Sequence, residues 1–93
     1  MTPHVKIYMK FFDLGEQDII TCEGCLKQGR IDGQSFDIHH IQGRIGKESN
    51  AIRNLMALCR KCHDKAHNSK ISKSELQYIH NCFLVGNRKQ FIL

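Results

Sequence analysis

Four histidines in this chain have the spacing that metal chemistry requires. His39 and His40 are adjacent in a predicted strand, and His63 and His67 are four positions apart. Two residues at that separation share one face of a helix and can bind a single metal ion. A third ligand from the strand would close one face of the coordination sphere and leave positions open for a substrate, as a catalytic ion requires. One histidine would remain as a general base near neutral pH.

Four of the five cysteines form two Cys-x-x-Cys pairs, Cys22 with Cys25 and Cys59 with Cys62. Each such turn directs two sulfurs to one point, and two turns complete a tetrahedron around zinc. The long spacer between the pairs has room for a β-hairpin. We therefore predict a structural zinc ion that stabilises a small core; four buried or redox-active cysteines are the alternative. Cys82 stands apart and is predicted to be a partly buried small hydrophobe.

The histidines leave two alternatives open. Consecutive side chains of an ideal strand point to opposite faces, so His39 and His40 serve one centre only if the strand ends or bulges, or if the substrate lies across its edge. His63 directly follows the second cysteine pair and could belong to the structural zinc instead. His4 and His80 lie outside the cluster, and we expect no special role for them.

Helices are predicted on both sides of the segment that holds the metal ligands. Thr2 followed by Pro3 is typical of a helix start. Ser72 and Glu75 have the capping-box spacing, which predicts a second helix that ends near Gly86. Each helix has one apolar face, formed by Val5, Tyr8, Met9 and Phe12 in the first and by Leu76, Ile79 and Phe83 in the second.

The ligands themselves are predicted on two strands and a helix. Residues 36–41 are predicted to form a strand, and the apolar residues 55–58 form a second run of strand length. A helix that begins near Cys62 would carry His63 and His67.

The remaining stretches are short. Residues 18–21 are β-prone, whereas the glycine-containing residues 27–35 are expected to form a loop. These elements predict a small α+β protein with a single domain over residues 1–93.

The chain has a formal charge of +5, from 14 Lys and Arg against 9 Asp and Glu. This excess favours a polyanionic partner such as nucleic acid, although mild basicity is common in small soluble domains. No apolar run is long enough to span a bilayer, and the first residues lack the apolar core of a secretion signal. With an odd number of cysteines, these features predict a cytoplasmic protein without a membrane partner.

The order of these residues resembles the HNH endonuclease family in its zinc-bound ββα-metal form. The resemblance is carried by Asp37-Ile38-His39-His40-Ile41, by Asn54-Leu55 and by Leu58-Cys59-x-x-Cys62-His63-x-x-x-His67. The pattern is similar to small HNH proteins of bacteriophages, which would act in the host cytoplasm, and to the nuclease domains of some bacterial toxins. It implies a core motif over residues 22–67 and metal-dependent cleavage of DNA.

The resemblance implies a role for each matched residue. His40 corresponds to the general base that activates water, and His39 and His63 correspond to ligands of the catalytic divalent ion. His67 is a ligand in the toxin-like members. Asn54 corresponds to the residue that ties the loop between the strands and so aims the base.

Asp37 corresponds to a residue that orients a ligand or the loop. An all-histidine ligand set is softer than the Asp-containing set common in the family, and it should favour Mn²⁺, Ni²⁺, Co²⁺ or Zn²⁺ over Mg²⁺. The abundance of Mg²⁺ in cells could still make it the working ion.

Basic residues on both sides of the proposed centre are predicted to contact DNA phosphates: Arg44, Lys47, Arg53, Arg60, Lys61 and Lys65. Arg88 and Lys89 could extend this surface, with a solvated tail as the alternative. The chain has no base-reading motif, so we expect weak sequence preference. Further partners left open are a second copy of the chain and proteins of phage genome packaging or recombination.

Three other classes of protein share part of this residue pattern. A zinc-stabilised nucleic-acid-binding module would keep the cysteines and the basic surface and make the histidines incidental. A structural protein would use zinc only to fold. A zinc-dependent deaminase is excluded, because that class needs Pro-Cys-x-x-Cys and the one proline, Pro3, precedes no cysteine.

Overall fold

The computed structural model of the protein describes residues 2–30, 35–44 and 46–86. In these ranges the order of elements is α1 (Pro3–Phe11), β1 (Ile19–Thr21), β2 (Gln28–Arg30), β3 (Phe36–His40), a 3₁₀ turn (Ile52–Asn54), β4 (Leu55–Cys59), α2 (Arg60–His67) and α3 (Lys73–Leu84). The strands form two antiparallel two-stranded sheets, β1 with β2 and β3 with β4. The predicted α+β fold, a ββα segment between flanking helices, is confirmed.

The β3–β4 hairpin and α2 form the ββα segment. His39 lies opposite Met56 and His40 opposite Leu55 in the antiparallel register. All five residues of β4 are buried, as expected for a strand at the centre of the core. Because β4 leads directly into α2, with Cys59 as the residue before the helix, α2 folds back against both strands.

The β1–β2 hairpin holds the first cysteine pair in its turn, with Ile20 opposite Gly29. The prediction of a loop over residues 27–35 was wrong for Gln28–Arg30. These polar residues have no apolar alternation, and their strand conformation comes from pairing with β1. A Cβ atom at Gly29 would lie 2.5 Å from the ring of Phe36, so a glycine is needed where this hairpin packs on β3.

The two predicted terminal helices are present. α1 begins at Pro3, although the Thr2 hydroxyl makes no capping hydrogen bond. α3 begins with the predicted capping box: the Glu75 N–H donates to Ser72 Oγ at 3.1 Å, and the Ser72 N–H donates to Glu75 Oε1 at 3.4 Å. In the described part of the chain, no helix combines the length and the apolar character needed to cross a membrane.

A buried polar network joins the turn of the first cysteine pair to both terminal helices. The Tyr8 hydroxyl and the Ala57 N–H donate to Glu23 Oε2 at 2.6 and 3.1 Å, and Glu23 Oε1 lies 2.6 Å from His80 Nδ1. His80 Nε2 donates to the Ile52 carbonyl at 2.7 Å. Burial and the nearby Glu23 charge raise the pKa of Tyr8, so its hydroxyl remains a donor. His80, for which we expected no role, therefore connects α3 to the 3₁₀ turn.

Replacing Glu23 with alanine should lower the free energy of unfolding by about 3–5 kcal/mol, because His80, Tyr8 and the Ala57 N–H lose a shared buried acceptor. Urea denaturation at saturating zinc measures the change. Glu16→Ala, at an exposed position, is the control and should alter stability by less than about 0.5 kcal/mol. Equal stabilities of the two variants would contradict the importance of the network.

Candidate active site

Three histidines from β3 and α2 converge on one point. Ring nitrogens of His39, His63 and His67 all lie within 4.8 Å of one another. The ring centroids are 4.4 Å apart for His63 and His67, and the His39 centroid lies 5.1 and 5.6 Å from these two. His63 therefore lies with the other histidines, although it directly follows a cysteine of the second pair.

The separations between ring nitrogens fit one shared ion. His63 Nε2 and His67 Nε2 are 3.0 Å apart. Two nitrogens that are each about 2.1 Å from one ion would be separated by about 3.0–3.4 Å. On the other edge of its ring, His63 Nδ1 donates to Asp37 Oδ2 at 3.0 Å. This hydrogen bond leaves the Nε2 lone pair of His63 directed toward the cluster, so the three histidines could hold a divalent ion.

His39 has the charge state that metal binding needs. Burial lowers the pKa of His39 to about 4, and the charges of His63 and His67 act in the same direction. At neutral pH the His39 ring is therefore uncharged, which is the form that coordinates a metal ion.

His40 lies in the same cleft as the three clustered histidines, an open space of about 490 Å³. Consecutive side chains of a strand point to opposite faces, but β3 ends at His40, so His39 and His40 both line the cleft. Asn50 Oδ1 accepts a hydrogen bond of 2.9 Å from His40 Nε2, which places the ring proton on Nε2 and the lone pair on Nδ1. Nδ1 is buried and has no hydrogen-bond partner among the residues that the structure describes.

His4, from the first turn of α1, packs against the His40 ring. The two ring centroids are 4.6 Å apart and the ring planes are inclined by 50°. His4 lines the cleft together with Arg44. Burial lowers the pKa of His4, and the charges of His40 and Arg44 act in the same direction. The neutral His4 ring is thus suited to packing on a second imidazole.

Asn54 holds the connection between β3 and β4. Its Oδ1 accepts the Gln42 N–H at 2.8 Å, and its Nδ2 donates to the carbonyls of Gly43 and Ser49 at 3.1 and 2.8 Å. The buried side chain therefore joins the residues directly after His40 to a point further along the same connection. Asn54 therefore cross-links two parts of the β3–β4 connection through its side-chain amide.

The sulfurs of the two cysteine pairs form a second cluster, with all four within 4.8 Å of one another. Cys25 Sγ and Cys59 Sγ are 3.7 Å apart, close to the edge of about 3.8 Å in a tetrahedron of sulfurs about 2.3 Å from zinc. The Cys25 N–H donates to Cys22 Sγ at 3.5 Å. Burial raises the pKa values of Cys22 and Cys62, and a bound cation would offset this cost. The four cysteines could therefore hold a metal ion such as zinc.

The predicted DNA contacts on the β3–β4 connection divide between two clefts. Arg44 lines the histidine cleft. Lys47 and Arg53 line a different cleft, where Arg53 forms an ion pair with Glu48. Two residues predicted to extend the basic surface lie outside the described ranges: Arg88 and Lys89.

The predicted contacts on α2 lie beside the cysteine cluster. Arg60, Lys61 and Lys65 line one cleft there. Arg60 Nη2 also lies 3.7 Å from Asp37 Oδ2, the carboxylate oxygen that accepts from His63. Basic side chains thus extend from the cysteine cluster to the edge of the histidine site.

Two residues next to His40 had no role in our predictions. Asn50 lies in a polar connection, and His4 lies far from the ligands in sequence. Neither has a spacing relative to the metal ligands that a motif could reveal. Their places beside His40 become visible only when the β3–β4 connection and α1 are folded against the cleft.

The fold has a ββα segment, and its two ligand clusters could each hold a metal ion. The profile of the HNH endonuclease family matches residues 22–69, a segment that begins with the first cysteine pair and ends just after α2. The match covers more than half of the chain, and the chain belongs to the HNH endonuclease family. No curated protein and no solved structure matches the chain.

Proposed function

We propose that the protein is a metal-dependent DNA endonuclease or nickase that hydrolyses phosphodiester bonds. The observation that carries the proposal concerns His40, in the cleft that also holds the three-histidine cluster: its Nδ1 is buried and has no hydrogen-bond partner within the described ranges. Buried polar atoms almost always have a partner, so a nitrogen of this kind is a candidate for a catalytic role. A base and a metal site in one cleft suit the hydrolysis of a phosphodiester.

His40 acts as the general base in this proposal. Its Nε2–H donates to Asn50, and its Nδ1 accepts a proton from the water whose oxygen attacks phosphorus. The bond to the 3′ oxygen breaks and that oxygen takes up a proton from solvent, which gives 5′-phosphate and 3′-hydroxyl ends. A divalent ion held by His39, His63 and His67 would neutralise charge on the phosphate and stabilise the leaving oxygen.

We assign zinc to the four-cysteine cluster, because four thiolates in a tetrahedral arrangement select zinc and stabilise small folds. Helices α1 and α3 contribute to the same core as the ββα segment, because Tyr8, Leu76 and Ile79 belong to the buried cluster that also contains Leu58. We therefore propose one nuclease domain over the whole chain. Reduced cysteines suit a cytoplasmic location.

DNA binds, in this proposal, through its backbone. Arg44, which lines the histidine cleft, contacts a phosphate there. The basic residues of the neighbouring clefts contact phosphates on either side of the cut: Lys47, Arg53, Arg60, Lys61 and Lys65. Such contacts position DNA without reading its sequence.

Relaxation of a supercoiled plasmid with Mn²⁺ or Mg²⁺ tests the proposed activity. Nicked circles are expected from a protein that acts as a single copy, and linear product from two copies acting together. Tight binding of the plasmid with no cleavage in Mg²⁺, Mn²⁺, Ni²⁺, Co²⁺ or Zn²⁺ would favour the alternative, a zinc-stabilised nucleic-acid-binding module.

Replacing His63 with alanine should abolish the second metal site and leave the cysteine site intact. Calorimetric titration of Ni²⁺ into the zinc-loaded wild type should show one further bound ion. In the variant the affinity for this ion should fall by more than about 100-fold, because loss of only a ligand's hydrogen-bond partner already lowers metal affinity about 10–100-fold. Asp64→Ala, an exposed position on the same helix, is the matched control. Equal Ni²⁺ affinities for His63→Ala and wild type would contradict the ligand assignment.

A further inference from the structure

We propose that Asn50 and His4 are positioning residues that hold the His40 ring with Nδ1 directed at the reacting water. We call these two contacts the His40 clamp: the hydrogen bond from His40 Nε2 to Asn50 Oδ1 and the packing of the His4 ring on the His40 ring. The inference rests on the proposed function, because it explains how the proposed base is oriented. Neither residue is among those that the sequence motif indicates.

Asn50 supplies the hydrogen bond that orients the base. A histidine base is effective when a second group binds its other ring nitrogen, because that hydrogen bond selects the tautomer and the ring orientation. Asn50 Oδ1 is 2.9 Å from His40 Nε2, and an amide oxygen can only accept. The proton therefore stays on Nε2, and Nδ1 keeps its lone pair for water.

Asn54 connects this hydrogen bond to the rest of the fold. Its amide donates to the carbonyl of Ser49, the residue before Asn50, at 2.8 Å, and accepts from the backbone of Gln42 at 2.8 Å. These two bonds fix the backbone that carries Asn50 beside the backbone that follows His40. Asn54 thus acts on the base through Asn50.

His4 supplies the second half of the clamp. A half-turn of the His40 ring would exchange Nδ1 with a carbon atom and break the bond to Asn50. The His4 ring, at 4.6 Å between centroids, covers one side of the His40 ring and hinders that rotation. α1 contacts β3 directly, so the helix that carries His4 is held against the strand that carries His40.

Two pairs of variants test the clamp by steady-state nicking of a supercoiled plasmid in Mn²⁺. Asn50→Leu keeps the size of the side chain and removes the acceptor, and it should lower kcat by roughly 100-fold with KM unchanged. His4→Ala should lower kcat by roughly tenfold. Asn50→Asp restores an acceptor oxygen and His4→Phe restores a ring, so each should recover most of the loss.

A second measurement is independent of activity. In the ¹H–¹⁵N spectrum of the zinc-loaded protein without a second metal ion, the Nε2–H of His40 should give a signal protected from exchange with water. Asn50→Leu and His4→Ala should each remove that signal by exposing or freeing the ring. Asn50 and His4 are both partly exposed, so these variants should fold, and thermal unfolding checks this.

The possible results distinguish failure of the His40 clamp from failure of the proposed nuclease activity. If the wild type nicks DNA and His40→Ala does not, but Asn50→Leu or His4→Ala keeps the wild-type kcat, the clamp is overturned and the nuclease stands. A His4→Phe variant as slow as His4→Ala would overturn the packing role. An unchanged His40 N–H signal in either variant would overturn the clamp whatever the activity. No nicking by the wild type in any divalent ion would overturn both proposals.

Discussion

Replacement of His40 by alanine should lower the rate of plasmid nicking by roughly 10²–10⁴-fold, the range that a positioned general base contributes. The structure provides the reason: Nδ1 of His40 carries the lone pair, and within the described residues it is buried without a partner. The loss should be in kcat. Binding of plasmid in the absence of a divalent ion should be unchanged, because His40 is not one of the basic residues proposed to contact phosphates.

The side chain of His40 is largely buried, so the variant needs controls for folding. Zinc content and thermal unfolding should match the wild type within experimental error. His40→Gln, which fills more of the space, provides a second variant and should be inactive as well. Nicking by both variants at the wild-type rate would refute the role of His40 as the base, whereas inactivity of a fully folded His40→Gln protein would support it.

The second large effect is expected from the cysteine cluster. Cys59→Ser should remove the bound zinc and with it the folded structure, because structural zinc in small domains contributes about 10–16 kcal/mol of binding free energy to folding. Cys59 lies at the junction of β4 and α2. Loss of its bond to zinc would therefore release α2, which carries His63 and His67, and β4, which pairs with the strand of His39 and His40. Metal analysis and far-ultraviolet circular dichroism measure the two effects.

Cys82→Ser is the matched control for Cys59→Ser. Cys82 is a free, partly buried cysteine of α3 outside the four-cysteine cluster, so its replacement should keep one zinc per chain and the native spectrum. Addition of a strong chelator to the wild type removes the ion without changing any packing, and it should also unfold the protein. A wild type that stays folded after complete removal of zinc would show that the cysteine cluster is not needed for the fold.

The sequence alone determined the features that depend on residues close together in the chain. The cysteine pairs, the pair of histidines on α2 and the capping box at Ser72 each involve residues within about one helical turn or one tight turn, where spacing dictates geometry. The strand patterns of the segments that form β3 and β4 were equally local. These elements were enough to predict the α+β fold and the two ligand clusters.

Only the tertiary structure decided which distant residues support the site. The packing of His4 on His40 and the contact of Glu23 with His80 join residues from separate elements. The strand at Gln28–Arg30 exists because β1 pairs with it. Such contacts form when whole elements pack, and no spacing of residues along the chain predicts them. Asn50 shows the same limit: its hydrogen bond to His40 depends on the path of a polar connection that folding alone sets.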